Sequence, residues 1–413
     1  MPDIPSIVAA LGWAPWALIP LYALGIGTAV DAVMTARTPQ GATAWVFALA
    51  TLPLLALPLY WILGRFRFDD YTSALRRFDE RVASGVEAQM QGGIDDLLAG
   101  AREIDDEDGE REIGEMQAFS EMATLPFTRG NDVDLLIDGQ ETFDALFEAI
   151  EAAETYVLAQ FYIVHDDEVG TRFQKALMDA AARGCEVRFL YDAIGSWKLP
   201  RRYVRTLTQA GVHVARFAGP RSWLKKLRLN FRNHRKIVVC DGRTAFVGGL
   251  NVGDEYLGRD PKIGPWRDTH LRVQGPTVQG LQLSFARDWF YATRENLEAI
   301  DWTPEAASGG DQAALVLASG PADELETCGL LYTHAIESAE RRVWIATPYF
   351  VPDGRVLGAL QLAALRGVDV RVLMPRTSDS LWFKWVPYAY LNEVARAGVR
   401  VFLYEPGFMH QKV

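Results

Sequence analysis

Two short motifs that pair a histidine with a lysine stand out among the residues able to do chemistry. Lys236 follows His234 by two positions, and Lys412 follows His410 in the same way. One neutral imidazole can attack a phosphorus atom while a second, protonated imidazole gives its proton to the leaving alkoxide. The lysine charges can stabilise the phosphoryl oxygens, and an imidazole pKa near 6.5 permits both protonation states. The motifs predict phosphodiester chemistry that needs no metal and no cofactor.

The remaining histidines lack this pattern, and we interpret them as structural or surface residues. His270 is the least certain of them because it follows Trp266-Arg267-Asp268, a cluster that supports the site or simply caps a strand. The others are His165, His213 and His334.

The residues after the first motif predict the backbone that positions it. Side chains at i and i+2 of a strand share a face, so His234 and Lys236 should project together from the start of a buried strand at 237–240. The same spacing places His410 and Lys412 together.

A hairpin should follow that strand. Asp241-Gly242 predicts the turn, and a return strand leads to two glycines. Gly248 and Gly249 would let backbone approach a ligand closely, and Asn251 would point its amide into the same site. We therefore expect these three residues to bind substrate.

Three sequence blocks recur in the same order, about 185 residues apart, which indicates an internal repeat. Each repeat predicts a strand, an amphipathic helix ended by glycine, and a second strand. Such alternation indicates an α/β fold with mainly parallel sheets. We expect two lobes related by a pseudo-twofold axis, at 126–305 and 306–413. The predicted strand, helix and strand are Val157–Val164, Arg172–Ala182 and Glu186–Tyr191 in the first lobe, and Val343–Val351, Val356–Leu365 and Asp369–Met374 in the second.

Residues 1–64 predict a two-helix transmembrane hairpin. The runs Ile4–Val30 and Thr38–Gly64 carry no charge, and each exceeds the roughly 20 residues that cross a bilayer. Arg37 is the only basic residue between the two runs, whereas five arginines follow within 65–81. The catalytic body should therefore lie on the cytoplasmic side. A cleaved signal peptide and a buried pair of soluble helices are the alternatives.

Composition and charge exclude several classes. Hydrophobic residues make up 49% of the 413 residues and charged residues 23%, so the chain is not intrinsically disordered. The net charge is −11, and ten acidic against two basic residues at 95–115 account for most of it. We interpret 65–125 as a charged helical linker, with an acidic metal-binding loop as the alternative. Cys185, Cys240 and Cys328 lie too far apart in sequence for a zinc cage.

The motif H-x-K-x4-D followed by G-G-x-N resembles the phospholipase D superfamily, and the resemblance to its bacterial cardiolipin synthases covers essentially the whole chain. The further matching segments are Gly248–Tyr256, Trp266–Asp268, Ser319–Pro321, Thr347–Pro352 and Gly407–Lys412. The resemblance implies that two phosphatidylglycerol molecules condense to cardiolipin and glycerol through a phosphatidyl-histidine intermediate. It implies a catalytic set of His234, Lys236, Asp241, His410 and Lys412, with His234 as the nucleophile by analogy. It also implies the bacterial inner membrane as the location.

The charge before the first motif favours a lipid partner. The interval between Asp192 and Asp241 holds twelve basic residues and no acidic one. Trp223, Leu224 and Phe231 could share a helical face that rests on an anionic bilayer. A solvated basic face is one alternative, and a groove for single-stranded nucleic acid is another. The hairpin favours anionic lipids over nucleic acid.

The second motif departs from the family pattern. An aspartate is expected near position 417 and the sequence stops at Val413, so we expect a truncated second lobe and a complete chain of about 470–480 residues by the repeat. A phospholipid hydrolase, a metal-independent nuclease and an inactive membrane scaffold are the alternative functions.

Overall fold

The computed structural model describes residues 14–36, 38–64, 68, 70–80, 116–218, 232–297, 300–320, 322–323, 325–378 and 385–413. The acidic stretch 95–115 and the segment with Trp223, Leu224 and Phe231 lie outside these residues. The chain divides into two compact units. One comprises Met1–Ser73 with Gly219–Arg232, and the other comprises Ala74–Ala218 with Asn233–Val413.

The first unit is helical, with α1 (Ala14–Thr35), α2 (Pro39–Thr51), α3 (Pro53–Leu59) and a π-helical turn (Tyr60–Gly64). Thr38 caps α2 by accepting a hydrogen bond from the Gly41 amide. Pro53 has no amide proton, and the helix breaks at Leu52 beside it. None of the helices in the described residues is long and apolar enough to span a membrane.

Large apolar side chains nevertheless face outward from this unit. Leu49 and Tyr60 are buried between its helices, where α1 and α2 pack together. The exposed large apolar side chains include Leu24, Ile26, Val30, Val33, Met34, Phe47, Leu54, Leu55, Leu59 and Trp61. So large an outward apolar surface marks an interaction face rather than an ordinary solvated one.

The second unit contains an eight-stranded sheet. Its strands are β1 (Thr128–Ile137), β2 (Tyr156–Phe161), β3 (Glu186–Asp192), β4 (His213–Phe217), β5 (Ile237–Cys240), β6 (Thr244–Gly248), β8 (Thr269–Gln274) and β9 (Gln312–Ala314), while β7 (Trp266–Arg267) pairs elsewhere. Their order in the sheet is β4-β3-β2-β5-β6-β8-β1-β9. The core is apolar, and β2 is buried along its whole length because helices and sheet cover both faces.

Helices lie between these strands and bury an apolar stripe. In the helix Glu168–Ala182, the side chains of Phe173, Leu177 and Ala180 recur at helical spacing and are buried. Asp167 caps this helix by accepting from the Gly170 amide. The helices between the strands are α6 (Asp138–Ala152), α7 (Glu168–Ala182), α8 (Arg201–Gln209) and α9 (Val278–Thr293), while α4 (70–80) and α5 (116–122) precede β1.

The second lobe repeats the first at the level of single elements. Its strands β10 (Arg342–Ala346), β11 (Asp369–Pro375) and β12 (Arg400–Tyr404) form a parallel sheet. They alternate with α10 (Thr327–Glu337), α11 (Gly354–Leu365) and α12 (Tyr388–Arg396) as β2, β3 and β4 alternate with α7 and α8. The predicted alternation of strands and helices is confirmed in both lobes, although β2 ends three residues and β10 five residues before the predicted strands do.

The expectation of mainly parallel sheets is wrong for the first lobe. Among its pairings in the described residues, only β2–β3 and β3–β4 are parallel, and the other five are antiparallel. The physical reason is the tight Asp241-Gly242 turn, where both residues have positive φ and fold β6 directly back on β5. The sheet is therefore mixed.

Candidate active site

The first motif does not lie on a strand as predicted. Residues 233–236 are irregular, and β5 begins only at Ile237. The two side chains meet all the same: the Lys236 Nζ lies 2.9 Å from His234 Nδ1 and donates to the His234 carbonyl oxygen at 2.7 Å. The irregular backbone lets the lysine fold back over the imidazole, which a regular strand would hold further away.

The second motif is fixed to the first lobe. The short strand β13 (Phe408–Met409) pairs in parallel with β7, and the His410 amide donates to the Arg267 carbonyl at 2.8 Å. This register brings His410 Nδ1 to 2.8 Å from Oδ2 of Asp268, a fully buried carboxylate. The imidazole of one lobe is therefore oriented by a carboxylate of the other.

The charges of the two motifs act on each other. Burial lowers the pKa of Lys236 well below its usual value, and the positive charge of Lys412 lowers it further. Burial also lowers the pKa of His410, assisted by Lys412 and Lys236 and opposed by the hydrogen bond to Asp268. The structure thus places His234, Lys236, His410 and Lys412 around one electrostatically coupled site.

Aromatic rings line this site. The Tyr162 ring lies 4.4 Å from the ring of His234, and the Trp266 ring lies 5.3 Å from that of His410. The Tyr349 ring stands edge-on to His410 at 6.2 Å. His410 is buried among these rings, where a lower local dielectric strengthens its charge interactions, whereas His234 is exposed.

Burial raises the pKa of Asp268 less than its hydrogen-bonding and charged partners lower it. Burial alone raises the pKa of this carboxyl group, but the hydrogen bond and charge of His410 and the charge of Lys412 hold it below its usual value. Asp268 is therefore an anion at neutral pH. It keeps the His410 Nδ1 proton in place, and Nε2 lies 3.2 Å from Lys412 Nζ.

His270 is buried beside the motif residues rather than on the surface. Burial lowers its pKa to about 4, with Lys236 adding to the effect and Asp268 opposing it. The imidazole is neutral at pH 7. Within the part of the chain that the structure describes, its Nδ1 has no hydrogen-bond partner.

The two glycines after β6 each lie against a buried side chain. A Cβ at Gly248 would lie 2.4 Å from His270 Nδ1, and one at Gly249 would lie 2.1 Å from an Asp268 carboxylate oxygen. Both distances are far below van der Waals contact. The glycines therefore permit the close approach of two buried side chains, and their contact with substrate stays a prediction.

Gly249→Ala should consequently disturb catalysis through Asp268. The added methyl group must push the carboxylate away from His410, and a displacement of about 1 Å at a catalytic group costs on the order of 100-fold in rate. The turnover rate of purified variant should fall by that order while the protein remains folded by circular dichroism. Gly358→Ala is the matched control because its Cβ would meet no atom within 4 Å. Equal rates in both variants would contradict this account.

Asn251 is also engaged within the fold. Its Oδ1 accepts from the Ile163 amide at 3.0 Å, and its Nδ2 donates to the Tyr256 hydroxyl at 3.0 Å. The side chain is buried, and satisfying the Ile163 amide at the end of β2 is the physical reason for its position. These contacts fix the position of the Asn251 side chain, and its contact with substrate stays a prediction.

The structure does not bring Asp241 to the two motifs. Its carboxylate accepts from the backbone amides of Glu154, Thr155 and Tyr156, and from the Thr155 hydroxyl. These donors lie just before and at the first residue of β2, at the opposite end of β5 from His234. Burial alone would raise the pKa of Asp241, but these hydrogen bonds lower it. The residue fixes a turn and a strand start.

Asp241→Ala should therefore lower the stability of the fold more than it lowers the rate of the reaction. Four hydrogen bonds to one carboxylate are lost, and we expect the free energy of unfolding to fall by about 2–4 kcal/mol. Because the folded pKa is lowered, this stabilisation is present above the unfolded pKa and disappears as pH falls through the folded value. Denaturant titration at pH 7 and pH 3 measures both effects. The exposed Asp311 provides the control, Asp311→Ala, and an equal loss in both would refute the assignment.

A buried carboxylate that sequence reasoning missed holds the first motif. Asp288 on α9 accepts from Gln160 Nε2 at 2.9 Å, Asn233 Nδ2 at 2.6 Å and Arg235 Nη1 at 2.7 Å. Asp192 accepts from the Asn233 amide at 2.9 Å. Together they fix the residues on both sides of His234. The alternation of Asn233 and Arg235 around His234 was a signal for such a partner, but nothing in the sequence points to Asp288.

A repeated α/β lobe that presents two histidine–lysine motifs to a shared site defines a phosphodiester transferase of the phospholipase D type. The family model described as "Cardiolipin synthase, PLD-like domain" matches residues 146–289 and 332–413. A second model, "Phospholipase D-nuclease N-terminal", matches residues 23–65. The chain belongs to the cardiolipin synthases of the phospholipase D superfamily.

Curated relatives agree with this assignment. The chain is 47% identical over 394 residues to Cardiolipin synthase A of Pseudomonas fluorescens strain SBW25, covering 95% of this chain and 80% of the relative. It is 45% identical over 412 residues to Cardiolipin synthase A of Pseudomonas aeruginosa strain LESB58, covering 100% and 82%. A crystal structure of the phosphatidylserine synthase of Haemophilus influenzae Rd KW20 superposes on 72% of this chain and 79% of that chain, with 12% identity and a TM-score of 0.49.

Proposed function

We propose that this chain condenses two phosphatidylglycerol molecules to cardiolipin and glycerol, through a phosphatidyl-histidine intermediate. It is a phosphatidyltransferase of the phospholipase D type, as its family membership and its relatives' names indicate. The observation that carries the proposal is the contact of His410 with Asp268, which builds one site from both lobes. A two-step transfer needs two imidazoles in one site.

In the first step His234 Nε2 attacks the phosphorus of one phosphatidylglycerol. A P–N bond forms, the P–O bond to the glycerol headgroup breaks, and His410 Nε2 gives its proton to the departing alkoxide. Lys236 supports this role of His234, because its Nζ contacts Nδ1 at 2.9 Å and the His234 carbonyl oxygen at 2.7 Å and so leaves Nε2 across the ring for the attack.

In the second step a terminal glycerol hydroxyl of another phosphatidylglycerol attacks the same phosphorus. Neutral His410 takes the hydroxyl proton, the new P–O bond forms, and the P–N bond to His234 breaks. Lys412 and Lys236 stabilise the negative phosphoryl oxygens in both steps. Both histidines return to their starting protonation states, so no outside reactant is required.

The reaction is tested with purified full-length protein and phosphatidylglycerol labelled in its headgroup. We expect labelled glycerol and cardiolipin in equal amounts, and undiminished activity with a chelator present. Phosphatidic acid as the main product would show instead that water is the acceptor. Strict dependence on a metal ion would contradict the two-histidine scheme.

We further propose that residues 1–64 attach the enzyme to a membrane as two spans, with the catalytic body on the cytoplasmic side. The outward-facing apolar side chains of α1 to α3 support this proposal, as does the excess of arginine after Gly64. The proposal is tested by labelling single cysteines, placed near residues 36 and 70, from either side of sealed vesicles. A two-span hairpin places residue 36 on the opposite side from residue 70, so labelling of both sites from the same side would refute it.

A further inference from the structure

One tryptophan beside the active site is almost fully in contact with solvent. Trp197 follows β3, and 73% of its side chain is exposed. The ammonium group of Lys198 lies 5.3 Å from the centre of its ring. An indole ring gains little from water, and tryptophan instead favours the boundary between lipid headgroups and acyl chains.

The Trp197 loop is joined to the wall of the active site. Ser196 Oγ donates to the Tyr162 carbonyl at 3.0 Å and accepts from the Val164 amide at 3.0 Å. Gly195 lies so close to Tyr162 that a Cβ there would lie 2.2 Å from the Tyr162 carbonyl oxygen. Because the Tyr162 ring lies against His234, Trp197 is held rigidly at the rim of the site.

The residues that follow Trp197 in the chain are rich in exposed cations, of which Arg202 is paired with Asp166. Lys198, Arg201 and Arg205 are exposed on the same loop and on the first turns of α8. The chain has no acidic residue between Asp192 and Asp241. An exposed aromatic ring among cations is complementary to an anionic lipid surface, where each basic residue adds roughly 1 kcal/mol of attraction.

We propose that Trp197 and Lys198 insert at the surface of an anionic phospholipid bilayer and hold the mouth of the catalytic site at the level of the headgroups. This inference rests on the proposed function only in assuming that the substrate lies in a bilayer. It adds to the N-terminal helices a second membrane contact, built into the catalytic body. That contact presents the phosphodiester to His234 without lifting the lipid out of the membrane.

The test uses full-length protein with Trp197→Phe and Lys198→Glu variants. The matched control is Trp344→Phe, because Trp344 is 54% exposed on β10 and has Arg371 4.6 Å from its ring centre. In vesicles of phosphatidylglycerol with brominated acyl chains, the quenchable tryptophan fluorescence should fall in Trp197→Phe and stay unchanged in Trp344→Phe. The ratio of activity on vesicles to activity on monomeric short-chain phosphatidylglycerol should fall about tenfold in Lys198→Glu.

Unchanged quenching in Trp197→Phe would overturn the inference. So would an equal loss of activity on vesicles and on monomers, because that result places Trp197 and Lys198 against a single substrate headgroup. If the wild-type protein makes no cardiolipin, the proposed function fails while the quenching measurement still decides the membrane contact. Thermal denaturation of each variant confirms that it is folded.

Discussion

His234→Ala should abolish transfer from every phosphatidyl donor, whereas His410→Ala should abolish it only from donors whose leaving group needs a proton. If His234 is the nucleophile, no P–N bond can form without it. If His410 is the acid, its loss is overcome by a donor that releases p-nitrophenolate, an anion stable without protonation. With phosphatidylglycerol we expect both variants to lose on the order of 10⁴-fold or more in turnover rate.

The measurement follows release of p-nitrophenolate in a single turnover, together with covalently bound lipid after an alkaline quench. His410→Ala should show a burst and a trapped lipid adduct, because glycerol hydroxyls are not activated in the second step. His234→Ala should show neither. The reverse pattern would exchange the two roles. His334→Ala is the control, since His334 lies on α10 against Phe119 and outside the motifs.

Asp268→Asn should be the most damaging substitution outside the two motifs. The side chain keeps its shape but loses the charge that holds the His410 Nδ1 proton, and the comparable change in a serine protease triad costs about 10⁴-fold. We expect a loss of about 10²–10⁴-fold in kcat. The KM for phosphatidylglycerol should change little, because Asp268 contacts His410 and not the lipid.

The pH dependence of kcat/KM shows whether Asp268 acts through the pKa of His410. Asp268 raises the pKa of His410 and Lys412 lowers it. As a general acid His410 must be protonated, so kcat/KM falls as pH rises through its pKa. The fall should begin at lower pH in Asp268→Asn and at higher pH in Lys412→Met. Asp134→Asn, which removes a carboxylate paired with Arg272 in the same sheet, should leave the profile in place. An unshifted profile in Asp268→Asn would mean that the residue acts only on stability.

Local patterns were enough to predict much of the fold. The recurrence of strand, helix and glycine at one offset predicted the equivalent parallel strands of the two lobes, and Asp241-Gly242 predicted the hairpin between β5 and β6. These features depend on nearest neighbours along the chain. The antiparallel strands β1, β8 and β9 depend on contacts between distant segments, and no pattern in the sequence sets their order.

In the candidate site, too, contacts between near neighbours in sequence could be predicted and contacts between distant residues could not. The pairing of His234 with Lys236 could be predicted because the residues are two positions apart. The partner of His410 could not, because Asp268 lies 142 residues away and meets it only through the pairing of β13 with β7. Gly248, Gly249 and Asn251 were assigned to substrate because small residues and an amide suit a phosphate. Their actual neighbours are buried side chains and backbone that only the tertiary structure reveals.

The parallel pair Phe408–Met409 and Trp266–Arg267 is only two residues long, and it sets the distance between a catalytic imidazole and its carboxylate. The enzyme should therefore be active only while the two repeats are docked against each other. A solvent or substitution that loosens this docking should inactivate the enzyme while both repeats are still folded. Inactivation should thus precede unfolding, and an inhibitor that wedges the repeats apart need not resemble a lipid at all.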